Sequence, residues 1–249
     1  MKDIQNLHDS RRIDIRKVGV KQIAYPIMVL DKASATQQTV ARVNMYVNLP
    51  HRFKGTHMSR FVEILNQFHG AFNLKTFHLI LEEMKLRLDA EAAHLEIDFP
   101  YFFQAEQAGR PGSMVRYDCR LHGSLARELD LVVEVDVPVS LPTHINPPAT
   151  TAFSGIWGVV TVAVRMKSFL WIEDLIALVE QGGALPGQGQ TVESLCRRVS
   201  AALQGRQAFD WYKVVVKNIA SGYSAFASVE WPEPPGDCAD SVVGPPVVA

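Results

Sequence analysis

The chain has 249 residues, 47% of them hydrophobic and 20% charged, with a formal net charge of −1. That length supports a sizeable core in one large domain or two small ones, and the near-neutral charge argues against a dedicated nucleic-acid binder, which carries a basic excess. No apolar run approaches the roughly 20 residues of a membrane span, the start Met1-Lys2-Asp3-Ile4-Gln5-Asn6 lacks the apolar stretch of a signal peptide, and three cysteines without a Cys-x-x-Cys pair exclude a disulfide framework and a cysteine-only zinc site; the expectation is a cytoplasmic protein in a reducing compartment.

Residues 15–30 read as a strand through Val18, Val20, Ile23, Ile27 and Val29, with a break at Pro26. Ala41, Val43, Met45, Val47 and Leu49 then alternate with Arg42, Asn44 and Asn48, the signature of a half-buried strand over 39–49. After Pro50 the period changes. Phe61, Ile64, Leu65 and Phe68 form a helical stripe, and Leu74, Phe77, Leu81, Met84 and Leu88 form a second, with Gly70 and Asn73 between them. Alternation returns at Leu95, Ile97 and Phe99 and again at Val115, Tyr117, Cys119 and Leu121, around a Pro111-Gly112 turn.

The order then repeats. Val133, Val135, Val137 and Val139 predict a strand, and Val160, Val162 and Val164 another. Ile172, Leu175, Ile176 and Val179 make one helical stripe, and Val192, Leu195, Cys196, Val199 and Leu203 a second. Residues 209–218 and 223–231 close with two strands. Each half reads ββααββ, so the expectation is an α+β protein of two units, 1–125 and 126–233, meeting near Gly123–Arg127, with a disordered tail over 234–249. A four-stranded antiparallel sheet with helices on one face leaves its edges open; closing several into a barrel removes them. A homo-oligomer, dimer or tetramer, with helices outside a shared barrel, follows.

Several stretches resemble the type IB GTP cyclohydrolase family, which has the tunnelling fold. Asp3, Gln5, Asp9 and Arg11 match its opening motif, Val18-Gly19-Val20 and Pro26 its first strand, and Thr39-Val40 and Leu49-Pro50 its second. Lys54-Gly55-Thr56-His57-Met58-Ser59-Arg60-Phe61 matches its most recognisable N-terminal stretch, and Phe99-Pro100-Tyr101-Phe102 also fits. The resemblance implies two tandem tunnelling-fold units and a pocket between subunits.

The second half departs from the family. Its members open the imidazole ring of GTP with a metal-bound water, using ligands from a Leu-Cys-Pro-Cys-Ser segment, a Gly-Ala-His-Asn-Gln-Arg segment and an acidic loop between the C-terminal helices; a Glu-Ser-Ile-His-Asn-His segment completes the pocket. Here Val137-Pro138-Val139-Ser140 matches the lead-in but is followed by Leu141-Pro142-Thr143-His144-Ile145-Asn146. Phe153-Ser154-Gly155-Ile156-Trp157 replaces the second segment, Gly182-Gly183 through Gly189 the acidic loop, and Asn218-Ile219-Ala220-Ser221-Gly222-Tyr223-Ser224-Ala225-Phe226 the last motif. A catalytic zinc takes about three protein ligands, so these replacements imply no metal and no other cofactor. The expected function is a repurposed, metal-independent enzyme acting on a planar heterocycle, purine- or pterin-like, at a subunit interface in specialised metabolism. The alternatives are a noncatalytic partner or ligand-binding subunit of an active homologue, and a GTP cyclohydrolase with a metal site rebuilt around His57, His144 or others. No nucleic-acid or membrane partner is expected.

The candidate catalytic residues are His57, His144 and Tyr223. His57 is a proton carrier in a polar loop beside Ser59 and Arg60, which with Lys54 and Trp157 form the candidate substrate-binding set. The alternative at this loop is structural, with Thr56 or Ser59 as a helix N-cap and Arg60 on the surface. His144 is a replacement general base or a loop histidine between prolines. Tyr223 either bonds a ligand or packs on Phe226, and Trp157 either stacks on a planar ligand or fills core. Cys119 and Cys196 read as core, Cys238 as inert, His78 and His94 as packing histidines, Glu82, Glu83, Lys85, Arg87 and Asp89 as a solvated helix face, and the glycines of 182–189 as a loop.

Overall fold

The computed structural model describes residues 15–49, 57–68, 71–104, 114–139, 158–183, 191–220 and 223–233. The elements are β1 (Ile15–Asp31), β2 (Ala35–Leu49), α1 (Met58–Gln67), β3 (Ala71–Phe72), α2 (Leu74–Arg87), β4 (Ala92–Gln104), β5 (Met114–Leu125), β6 (Leu129–Val139), β7 (Gly158–Met166), α3 (Ile172–Gly183), α4 (Val192–Arg206), β8 (Phe209–Ala220) and β9 (Tyr223–Trp231). All the strands join one sheet in the order β3-β1-β2-β4-β5-β6-β7-β8-β9. The eight long strands pair antiparallel, and only the two-residue β3 runs parallel, against Met28 and Val29. The α+β class and the repeated order are therefore present, and the α+β sheet is continuous through the β5–β6 pairing of Leu125 with Leu129.

The alternation read in the sequence sorts the two faces. Val43, Met45, Leu95, Ile97, Tyr117, Cys119, Val135, Val137, Val162, Val164, Tyr212 and Val214 are buried on the face that α2, α3 and α4 cover. The opposite face carries Tyr46, His94, Glu96, Arg120, Glu134, Asp136 and Thr161, bonded to one another across strands. The helices follow from apolar stripes and caps. Asn73 and Thr76 form a reciprocal capping box at α2, and Thr191 and Ser194 another at α4. Gly123 sits where α2 meets β5; a Cβ there would lie 2.1 Å from Phe77 Cε1, so the helix rests directly on the strand.

Two local expectations need correction. Pro26 does not break β1: it pairs with Val40, and on its other side β3 reaches only Met28 and Val29, so its missing N–H is tolerated at an open strand edge. The irregularity lies instead between Val20 and Ile23, where Gln22 takes φ 63° and donates its N–H to Asn44 Oδ1 at 2.9 Å, a β-bulge. Gly182 and Gly183 end α3 rather than forming a loop, and Gly182 lets α4 approach, with Val199 Cγ2 3.1 Å from an added Cβ. The tail 234–249, with Cys238, and the Pro111-Gly112 turn lie outside the described residues.

Candidate functional site

The head of α1 presents three candidates in sequence. His57 is the N-cap, with extended backbone and no side-chain capping bond, and Arg60 donates its backbone N–H to His57 O at 3.1 Å. Neither Thr56 nor Ser59 is the cap. Phe61, Ile64 and Leu65 anchor the helix in the core, which leaves His57 and Ser59 exposed and Arg60 half-buried. Tyr223 opens β9 and is 68% exposed, with Phe226 69% exposed on the same strand; Tyr223 does not pack into a core. Lys54, His144 and Trp157 lie outside the described residues.

Register decides whether one chain brings these groups together. Leu49, from which the Lys54–Arg60 loop departs, pairs with Ile15 and lies beside the Asn48–Ala92 pair at one end of the sheet. Val139, Gly158, Ala220 and Tyr223 lie at the other end. β2 and β9 are also six strand steps apart. A single copy therefore holds the α1 loop and the Tyr223 turn at separate places.

Two polar clusters were not legible as such in the sequence. On the open face, Glu96 accepts from Tyr46 OH at 2.6 Å and Asn44 Nδ2 at 2.9 Å. His94 stacks on Tyr46 with centroids 4.8 Å apart and bonds Asn48, while Lys17 lies 4.6 Å over the Tyr46 ring. Burial raises the Tyr46 hydroxyl, and its bond to Glu96 adds to that, so it stays a donor. Burial, then Lys17, lowers the His94 imidazole. Burial raises the Glu96 carboxyl, but the bonds from Tyr46 and Asn44 outweigh it and hold the group below its ordinary value. His94 is thus part of a polar network rather than a core packing residue, and His78 lies 3.2 Å from Glu82 on the α2 surface.

Under α3, Tyr101 OH lies 2.7 Å from Glu173 Oε1 and 3.3 Å from Asp31 Oδ2. Both carboxylates are buried. Glu173 also accepts the Lys32 N–H at 2.6 Å, and Lys32 Nζ pairs with Asp174. Tyr117 similarly donates to Glu180 at 2.7 Å. These bonds tie the β1–β2 hairpin and strands β4 and β5 to a helix of the second half. Alternation marked Tyr117 as core, but nothing in the local pattern around either tyrosine says that their hydroxyls meet carboxylates 63–72 positions away.

Among the described residues no three His, Cys, Asp or Glu side chains converge to hold an ion. Cys119 and Cys196 are buried in the core, and burial drives the Cys119 thiol far up, away from the thiolate a metal requires. The described residues alone do not assemble a catalytic metal site; the segments 140–157, 184–190 and 221–222 lie outside them. Also among the described residues, no helix is long and apolar enough to cross a membrane.

Comparison with known proteins gives the family context. A model of the type I GTP cyclohydrolase folE2 family matches residues 1–191. The Syntrophotalea carbinolica protein named GTP cyclohydrolase FolE2 is 42% identical, covering 93% of this chain and 96% of its own. The Pelobacter propionicus protein of the same name is 44% identical, covering 92% and 98%. Among solved structures, a uricase from Arthrobacter globiformis aligns with TM-score 0.54 at 11% identity over 86% of this chain and 91% of its own. A Bacillus sp. TB-90 urate oxidase mutant aligns with TM-score 0.60 at 7% identity over 87% and 99%. Such identities show the fold alone, which is of the tunnelling type.

These matches overturn the expectation of a repurposed enzyme with a different substrate. The family match runs through 137–157, where the motif residues are replaced, and the relatives' similarity spans 92–93% of the chain. A few side chains exchanged in loops leave untouched the alternating core pattern that carries such a match, so their loss was a poor guide to divergence. The descriptions divergent paralogue and metal-independent find no support.

Proposed function

Because the chain belongs to the type I GTP cyclohydrolase folE2 family, we propose that it is a GTP cyclohydrolase of the cytoplasm, opening the imidazole ring of GTP by hydrolysis. The observation that carries this reading is the 42–44% identity, over 92–93% of the chain, to proteins named for that activity. Two waters add in turn at the carbon between the two imidazole nitrogens: the first breaks one C–N bond and opens the ring to a formamide, and the second breaks the other and releases that carbon as formate.

The site is read as shared between copies. Both sheet edges invite pairing: among the described residues β9 has no strand beyond it and exposes Tyr223 and Phe226, and β1 is covered only at Met28 and Val29. Open edges of this length are templates for another chain. A homo-oligomer, dimer or tetramer, closing a barrel from the units 1–125 and 126–233 would bring the α1 loop of one copy toward the β6–β7 and β8–β9 turns of another. Lys54 and Arg60 then meet the triphosphate, Arg60 through its bidentate fork. His57 carries a proton to and from the ring, with Ser59 as a hydroxyl partner. Trp157 supplies a stacking face for the purine, and His144 and Tyr223 supply polar contacts to the ring.

The test is GTP turnover by purified variants. His57→Ala should lower kcat by roughly 10²–10⁴-fold with an unchanged melting temperature, while Arg60→Lys should mainly raise KM, because the planar fork is lost. Wild-type turnover in both variants would remove the loop from the site.

A further inference from the structure

We propose that a cavity at the far end of the second half binds a ligand of nucleotide class: a flat, amino-bearing heteroaromatic ring joined to an anionic group. The cavity encloses about 420 Å³ between the end of α4 and the β8 and β9 strands, within the range of small-molecule sites. Its floor is Leu203 and Phe209.

One wall is a prepared stacking platform. Tyr212 and Trp231 are direct cross-strand partners, so both project to the helix-covered face. Their rings stack with centroids 5.7 Å apart and planes 18° apart. Tyr212 is fully buried and its hydroxyl lies 2.9 Å from Ser200 Oγ. Trp231 is 40% exposed. One indole face is thus held from behind, and the tryptophan remains accessible to a second aromatic plane.

The polar groups around the platform sort by sign. Lys167 brings an ammonium, and its backbone N–H is fixed to Ala208 O at 2.9 Å. Its one ion pair, with Asp210 at 3.5 Å, is exposed on both sides and weak for that reason; an anion can replace it. Gln204 and Gln207 border the cavity, and Gln207 caps α4 in the left-handed conformation. Their amides both donate and accept, and the last carbonyls of a helix accept from ring amino groups. Among the described residues, no carboxylate lines the cavity. A bare anion would leave the indole unused, and a bare ring would leave the ammonium unused.

Within one copy this is separate from the residues proposed for GTP. Trp231 and Phe209 lie at the sheet end opposite Tyr223 and Asn218, and although Leu49 shares their end, its strand β2 is five and six strand steps from β8 and β9.

The test is calorimetric titration of the intact protein with AMP, adenosine and ribose 5-phosphate, so that its outcome does not depend on GTP turnover. AMP should bind saturably with Kd below about 1 mM, adenosine three- to tenfold more weakly, and ribose 5-phosphate without saturation. Lys167→Ala, a surface change, should weaken AMP three- to tenfold, leave adenosine unchanged and remove the salt dependence. Trp231→Ala should weaken both ligands at least tenfold; Trp231→Phe, which keeps a ring on Tyr212, should restore most of that loss. No saturable AMP binding at 5 mM (about five times the ceiling above), or binding that neither the lysine nor the tryptophan variants alter, would overturn the proposal.

Discussion

Tyr101→Phe removes a single oxygen from a fully buried ring and should be among the more costly conservative changes in the protein. The hydroxyl proton goes to Glu173 Oε1 at 2.7 Å, the shorter of its two contacts; Asp31 Oδ2 at 3.3 Å takes little of it. A hydrogen bond to a charged group is worth about 1.5–3 kcal/mol, and here the acceptor stays buried after the donor is gone. Glu173 Oε2 already has no partner, so the carboxylate would keep only the Lys32 N–H. Burial first, then the two carboxylates, push the Tyr101 hydroxyl up, so it remains a donor across the workable pH range. A chain of this size loses roughly 2–4 °C per kcal/mol, which gives a fall of about 3–12 °C by calorimetry at pH 7.5. Glu173→Gln keeps an acceptor for both contacts and removes a buried charge, so it should cost less. A Tyr101→Phe protein that melts within about 1 °C of wild type, or a Glu173→Gln protein that is worse, would refute the reasoning.

Gly123→Ala drives a methyl into the Phe77 ring and should cost about 1–3 kcal/mol in urea denaturation; combining it with Phe77→Leu should recover part of the loss, and strict additivity would show that the two do not meet. His94 is held below its ordinary value of 6.5 by burial and Lys17, so the unfolded chain takes up its proton more readily and stability must fall as pH drops below about 6.5. His94→Phe should therefore flatten the melting temperature between pH 7.5 and 5.5 relative to wild type; an equal slope would place the acid sensitivity elsewhere. Cys119 and Cys196 are buried with thiols pushed up, so neither should react with a thiol reagent until the protein is denatured, as mass spectrometry of labelled peptides would show.

Most of the fold was legible because one physical signal dominates it. Ala41 through Leu49 alternate so regularly that strand, buried face and register share one explanation, and the change of period at Phe61 and at Ile172 marks the helices equally well. What local pattern does not encode is contact at a distance. Pro26 looked like a strand breaker because its own sequence says nothing about which neighbour pairs on its other side. The bulge at Gln22 is pinned by Asn44 from another strand. Tyr101 and Glu173 each sit in ordinary contexts and become a pair only when β4 passes beneath α3. The site was less legible for a related reason. His57, Ser59 and Arg60 do cluster at the head of α1, yet Tyr223 belongs to the other end of the sheet, and no reading along the chain measures that separation. The functional expectation failed because it weighed a handful of absent cysteines and histidines above the similarity of the whole chain.

The central claim is that GTP loses its imidazole carbon on this protein. The most direct measurement is release of labelled formate from GTP labelled at that carbon, using the purified protein assayed alone and with added zinc, iron or manganese. Formate released in step with consumption of GTP, and reduced by His57→Ala, is the predicted result; no release above the protein-free rate under any of these conditions would contradict the claim.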